Sequence, residues 1–99
     1  MITAEKDWQR TVANLAGILG FSVYHTYDSR RSTAGFPDLV LVRERIIYAE
    51  LKSDVGKLSD AQVRWRDDLI DAGGEFYVWR PVDWPEVQRV LKQRMPRFA

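Results

Sequence analysis

Cysteine is absent from the chain and histidine occurs once, at His25. These two scarcities exclude a disulfide framework, a Cys-ligated zinc, a Cys nucleophile and most His-based metal sites. Any metal must then be held mainly by carboxylate oxygens, which favours Mg²⁺ or Mn²⁺. Long apolar runs are missing too. The longest charge-free stretch, from Thr11 up to Asp28, is interrupted by Asn14, Gly17, Gly20, Ser22 and His25, so no membrane span is expected. Near the start stand Thr3, Glu5 and Asp7 rather than the basic and apolar segments of a secretory leader, and a cytosolic location is the expectation. Neither sign of charge dominates: 15 Lys and Arg face 14 Asp and Glu, and with 45% hydrophobic and 12% aromatic residues the chain is too apolar to stay disordered. One small globular domain covering residues 1–99 is expected.

Within that balance the cations are biased. Eleven of the fifteen are Arg, the residue suited to planar, bidentate contact with phosphate or carboxylate, although a solvated surface would look the same by composition. Arg30 and Arg31 are adjacent in a predicted loop, and Arg89, Lys92, Arg94 and Arg97 make the C-terminal segment basic.

Hydrophobic spacing divides the chain into elements. Thr3 can cap a helix whose apolar positions are Trp8, Val12, Leu15, Ala16 and Leu19, ending at Gly20. Residues 21–27 alternate with period two and read as a strand, and residues 28–35 as a loop. The apolar runs at 36–42 and 46–52, separated by Arg43, Glu44 and Arg45, read as a β-hairpin, with Pro37 at a strand start. Their near-continuous apolar character predicts strands covered on both faces by helices. Ser59 opens a second helix to about Ala72, with Leu58 and Val63 placed for a hydrophobic staple, Ser59 and Gln62 for a capping box, and Gly73 and Gly74 as a stop. Residues 75–80 form a fourth strand, and Asp83 with Glu86 makes a second capping box before a helix carrying Val87, Val90 and Leu91. The order is αβββαβα, which predicts a mixed β-sheet flanked by helices, an α/β (α+β) fold.

Three polar residues interrupt this pattern at one place. Asp38 starts an apolar strand, while Glu50 and Lys52 end the next and share a face because they are two apart. A hairpin brings all three to one end of the sheet, where burying them together is costly unless they pair or bind a cation. The alternative is that Asp38 caps a turn and Glu50 and Lys52 form a surface ion pair. Glu5 lies three residues from Trp8 and seven from Val12, on the stripe predicted to face the core. Gln62, three from Trp65 and seven from Leu69, also looks inward, although its capping-box role would explain it fully. Carboxylates holding a divalent ion beside an ammonium are an arrangement that hydrolyses phosphodiesters.

The segments GFPD at 35–38, ELK at 50–52 and GKLSDAQ at 56–62 together resemble the virus-type replication-repair nuclease (VRR-NUC) domain of the PD-(D/E)xK superfamily. The resemblance covers roughly residues 5–80 and implies the restriction-endonuclease-like fold. It implies that Asp38 and Glu50 ligate Mg²⁺ or Mn²⁺ with the backbone carbonyl of Leu51 as a further ligand. It implies too that Lys52 orients or activates the attacking water or stabilises the charged phosphorane, that Gln62 supports the site, and that Glu5 is the N-terminal helical acid, also counted among the metal ligands. Arg30, Arg31 and Lys57 are the candidate contacts to DNA phosphates. Stand-alone domains of this kind resemble phage and prophage nucleases that act as homodimers on branched DNA, including four-way junctions. The expected protein is therefore a structure-selective endonuclease in the cytoplasm, the host's if phage-encoded. A nucleic-acid-binding module without catalysis, and a restriction or homing-type nuclease with extra base-reading sequence, are the competing readings. Trp65, Trp79 and Trp84 read as core or interface, and His25 as a half-buried structural residue.

A shared metal constrains the hairpin. A two-residue turn at Glu44 and Arg45 would send Asp38 and Glu50 to opposite faces. The connection must instead be a three-residue loop at Arg43, Glu44 and Arg45 or contain a bulge; the three-residue loop pairs Val42 with Ile46 and sets Asp38 across from Glu50, with Cβ atoms about 5 Å apart.

Overall fold

The computed structural model describes residues 4–26 and 33–95. The helix α1 (Glu5–Ile18) opens at Ala4, whose methyl group cannot accept a capping bond, while the expected cap, Thr3, lies outside the described residues. There follow β1 (Ser22–His25), β2 (Leu39–Val42), β3 (Ile46–Leu51), α2 (Asp60–Asp71), β4 (Glu75–Trp79), a short 3₁₀ turn (Pro81–Asp83) and α3 (Trp84–Lys92). The order is the expected αβββαβα. The four strands form one mixed sheet in the order β1-β2-β3-β4, antiparallel except for the β3/β4 pair, which the α2 crossover makes parallel.

Alternation assigns the two faces. Leu39 and Leu41 of β2, Ile47, Ala49 and Leu51 of β3 and Trp79 of β4 point to one side, where Trp8, Val12, Ala13 and Ala16 of α1 and Val87, Val90 and Leu91 of α3 bury them. Each large side chain withdrawn there contributes about 1.5–3 kcal/mol. Trp8 fastens α1 to the end of the sheet: its indole N–H donates to the Trp79 carbonyl at 2.9 Å, and Trp84 meets its ring edge-on with centroids 5.8 Å apart. Trp79 is thus wholly core, leaving Trp65 of α2 as the half-buried one on the other side.

That other side departs from expectation. Helix α2 has no fully buried residue and lies over β4 and the neighbouring end of β3, so the hairpin strands are sealed on one face and only partly covered on the second. Val42 and Ile46 remain 40% and 49% exposed. The apolar run predicted two-sided burial because it records side-chain type and not how far one short helix reaches.

The hairpin has the three-residue connection: Val42 pairs with Ile46 and Leu39 with Ala49, and the Arg43 N–H donates to the Arg45 carbonyl at 3.0 Å. Both arginines turn back onto helix ends. Arg43 donates to the carbonyls of Leu19 (2.9 Å) and Gln93 (3.0 Å) and covers the Phe21 ring at 4.2 Å, while Arg45 donates to Val90 (2.7 Å) and also to Gln93. Cationic donors at carbonyl ends satisfy orphan acceptors and oppose the helix dipole. The nearly buried Glu44 accepts from Arg43 Nε (2.6 Å), Arg94 (3.2 Å) and the Met95 N–H (2.8 Å). The bond from Arg43, then that from Met95, holds its carboxyl down at about 2.

The capping box at Ser59 and Gln62 is present, but the one expected at Asp83 and Glu86 is not. Asp83 ends the 3₁₀ turn at φ −87° and ψ 8° rather than in the extended conformation of a cap, its N–H donates to the Arg80 carbonyl (2.7 Å), and its carboxylate accepts from the Arg80 N–H (2.9 Å). Among the described residues no helix is long and apolar enough to cross a membrane.

Candidate functional site

The register carries Asp38 and Glu50 to the same place. One step beyond the Leu39/Ala49 pair they stand opposite each other on the face that α2 partly covers, and their carboxyl groups are within hydrogen-bonding reach. Glu50 is 2% exposed, the one buried charged residue among those described. Desolvation pushes its carboxyl well above the ordinary carboxylate range, to about 9, and the hydrogen bond and charge of Asp38 add to this; Lys52 opposes the shift and Glu5 adds to it weakly. Two such groups need a shared proton or a cation between them.

Asp38 is oriented by the backbone around it. In an antiparallel ladder bonded and non-bonded pairs alternate. The bonded Arg43/Arg45 pair therefore implies bonding at Leu41/Ile47, at Leu39/Ala49 and, one step on, at Pro37/Leu51. Proline has no N–H, so the ladder ends there. The Leu51 N–H donates instead to Asp38 Oδ2 at 2.9 Å, and the Pro37 carbonyl is taken by the Thr26 hydroxyl. The Leu51 carbonyl, on the β2 side of β3, faces the residue that cannot donate to it. With no ladder donor among the described residues, this oxygen beside two carboxylates fits an oxygen-liganded divalent ion.

Glu50 is held from α2. The Gln62 amide oxygen accepts from the Ser59 N–H (2.8 Å) and the Ser59 hydroxyl accepts from the Gln62 N–H (3.2 Å), which turns the Gln62 NH₂ toward Glu50 Oε1 at 3.2 Å. Capping and inward orientation, the two readings of Gln62, are thus one arrangement. The approach of α2 depends on Gly35. Its φ is +88°, and a Cβ there would stand 2.5–2.6 Å from the Ala61 carbonyl atoms. Phe36 then meets Trp65 of α2 edge-on at 5.0 Å and Tyr48 of β3 at 6.3 Å.

Lys52 is half-buried one pleat beyond Glu50, its N–H bonded to the Trp79 carbonyl (3.0 Å). The following loop is fixed by Arg80, which donates to the Ser53 and Gly56 carbonyls at 2.6 Å each. Arg80 is the supporting residue that sequence reasoning passed over, because its partners lie 24 and 27 positions away and no local pattern marks them.

Glu5 is placed differently from expectation. It is exposed, and its carboxylate accepts from the Ser53 N–H at 3.4 Å rather than joining the pair. Its azimuth on α1 is the predicted one, but Trp8 already sits at the sheet's end, so a turn earlier the helix has overrun the core. Among the described residues no three His, Asp or Glu side chains make a ready cation cluster. Lys57 is exposed, as is His25, which lies near the α1 residues Lys6, Gln9 and Arg10 rather than half-buried. Arg30 and Arg31 lie outside the described residues.

Comparison with known proteins yields one family and one fold. The family model for the VRR-NUC domain matches residues 4–83. A solved structure described as "VRR_NUC domain protein" superposes with a TM-score of 0.73 over 94% of this chain and 88% of that one, at 21% identity, which speaks to the fold. No curated protein matches the chain.

Proposed function

The chain belongs to the VRR-NUC family, and from that premise we propose that it is a metal-dependent DNA endonuclease that hydrolyses phosphodiester bonds in branched DNA such as four-way junctions. The observation that carries the reading is the buried Glu50 facing the half-buried Asp38 beside a Leu51 carbonyl that no described residue's N–H reaches across the ladder. Mg²⁺ or Mn²⁺ is the ion of the right chemistry, with Asp38, Glu50 and the Leu51 carbonyl to hold it and Glu5 at the margin.

An ion held by Asp38, Glu50 and the Leu51 carbonyl would supply activation of water and neutralisation of the charge that builds on the phosphate. The protein supplies the rest. The Leu51 N–H fixes Asp38 and the Gln62 amide fixes Glu50, so both acids are oriented before substrate arrives. Lys52, one pleat along, offers a fixed ammonium to the attacking water or to a phosphate oxygen. Arg80 pins the loop behind it.

The test is incubation with labelled four-way junction, flap and linear duplex, with and without Mg²⁺ or Mn²⁺, alongside Glu50→Gln. Cleavage is expected only with metal, and the variant should fall by orders of magnitude with its folding intact. Near-full activity in the variant would defeat the assignment.

A further inference from the structure

The face that α2 leaves partly open is concave, with a cavity of about 630 Å³. Its floor is a row across three strands, since Tyr24 pairs with Val40 and Val40 with Tyr48. Phe36 and Trp65 form its wall and Thr26 its rim. Tyr24 is 56% exposed. Val40 and Tyr48 lie two residues from Asp38 and Glu50 on the same strands, so the floor is the next pleat of the same face, about 6–7 Å from the carboxylates. We propose that this aromatic pocket receives an unpaired nucleobase of the DNA strand whose neighbouring phosphate is presented to Asp38 and Glu50.

Three properties select this occupant. Among the described residues that line the cavity none is charged, which suits a flat neutral ring rather than a peptide's mixed charges. The aromatic side chains, exposed Tyr24 among them, are disposed as a floor and a wall, the arrangement that stacks bases with little regard to sequence. The rim hydroxyl of Thr26 is already committed to the Pro37 carbonyl, and the largest surfaces left to meet a base are the aromatic rings. Taking a base out of an intact duplex costs free energy, and costs least where pairing or stacking is already interrupted, as it is more easily at a branch point. The pocket therefore supplies selection for branched substrate chiefly through stacking. This inference rests on the nuclease reading for the neighbouring phosphate.

The experiment places a single abasic residue at successive positions around the branch of a synthetic junction. Binding is measured by fluorescence anisotropy in Ca²⁺, and cleavage separately in Mg²⁺. One position should weaken binding by about tenfold when its base is removed. Tyr24→Ala and Trp65→Leu should each weaken the intact junction comparably and become indifferent to the abasic change. The exposed Tyr24 variant keeps the test sound if Trp65→Leu does not fold. Cleavage with no sensitive position, or variants that keep the full abasic penalty, would overturn the pocket while leaving the nuclease standing. A sensitive position with no cleavage in any metal would support the pocket and overturn the nuclease. If Tyr24→Ala instead converts a dimer to a monomer and leaves the abasic penalty unchanged, the face belongs to a second copy of the chain and the proposal fails.

Discussion

Glu50 is the residue on which most turns, because its burial opposes its charge. Its carboxyl is raised to about 9 in the fold against an ordinary 4.5 in the unfolded chain. Between those values the folded state holds a proton that the unfolded state has lost, so metal-free protein should lose stability as pH climbs from about 4.5 toward 9. Thermal melts in a chelator should show this slope, and Glu50→Gln should flatten it and melt later than the parent at pH 8. Mg²⁺ should recover the parent at pH 8 and leave the variant unmoved; a parent melt independent of pH would remove the argument. Lys52→Ala separates roles differently. Turnover should disappear while calorimetric metal binding persists, and loss of both would make Lys52 structural. Asp38 and Glu50 were legible in the sequence because strand parity is rigid: once three residues close the hairpin, the facing pair follows. Glu5 was legible in angle but not in depth, since periodicity says which way a side chain points and not where the sheet ends beneath it.

Among the elements, α2 comes as close to the sheet as it does because residue 35 has no side chain. Gly35→Ala puts a methyl against the Ala61 backbone at a positive φ and should cost about 1–3 kcal/mol. It should lower kcat more than folding explains, because Gln62 moves away from Glu50; a stability loss with kcat intact would show that α2 need not sit so close. The hairpin loop tests the opposite limb of the pH curve. Glu44 is held at about 2, so its stabilisation is present above about 4.5 and is lost as pH falls toward 2. Acid titration followed by circular dichroism should show a shallower loss for Glu44→Gln. The loop's length could be read from the chain, but the destinations of Arg43 and Arg45 could not: their partners lie 24 to 50 residues away, and an Arg that caps a distant helix has the same local pattern as one that binds phosphate. Asp83 misled for a related reason, since a helix-start pattern does not reveal a preceding 3₁₀ turn.

For the whole molecule, cutting both strands of a symmetric junction needs two sites, most simply a twofold dimer. Light scattering at micromolar concentration should give about twice 11.5 kDa. A concentration-independent monomer would shift the reading to flap or single-strand nicking. Of the tryptophans considered for such an interface, Trp79 is withdrawn into the core and Trp84 packs against Trp8, which a count of aromatics could not anticipate. The two ends of the hairpin also differ. At the loop, guanidinium groups tie the β2/β3 turn to the ends of α1 and α3; at the other, the ladder stops at Pro37 and two carboxylates crowd together. The carboxylate end is nonetheless the more buried, with Leu51 at 0% and Glu50 at 2% exposure against 40% and 49% for Val42 and Ile46, so amide exchange along this pair of strands should be faster toward the turn. The Leu51 N–H is satisfied by a carboxylate rather than by a strand, so its exchange should slow when Mg²⁺ is added while the loop end is unchanged. The site would then report its own occupancy through the lifetime of one proton.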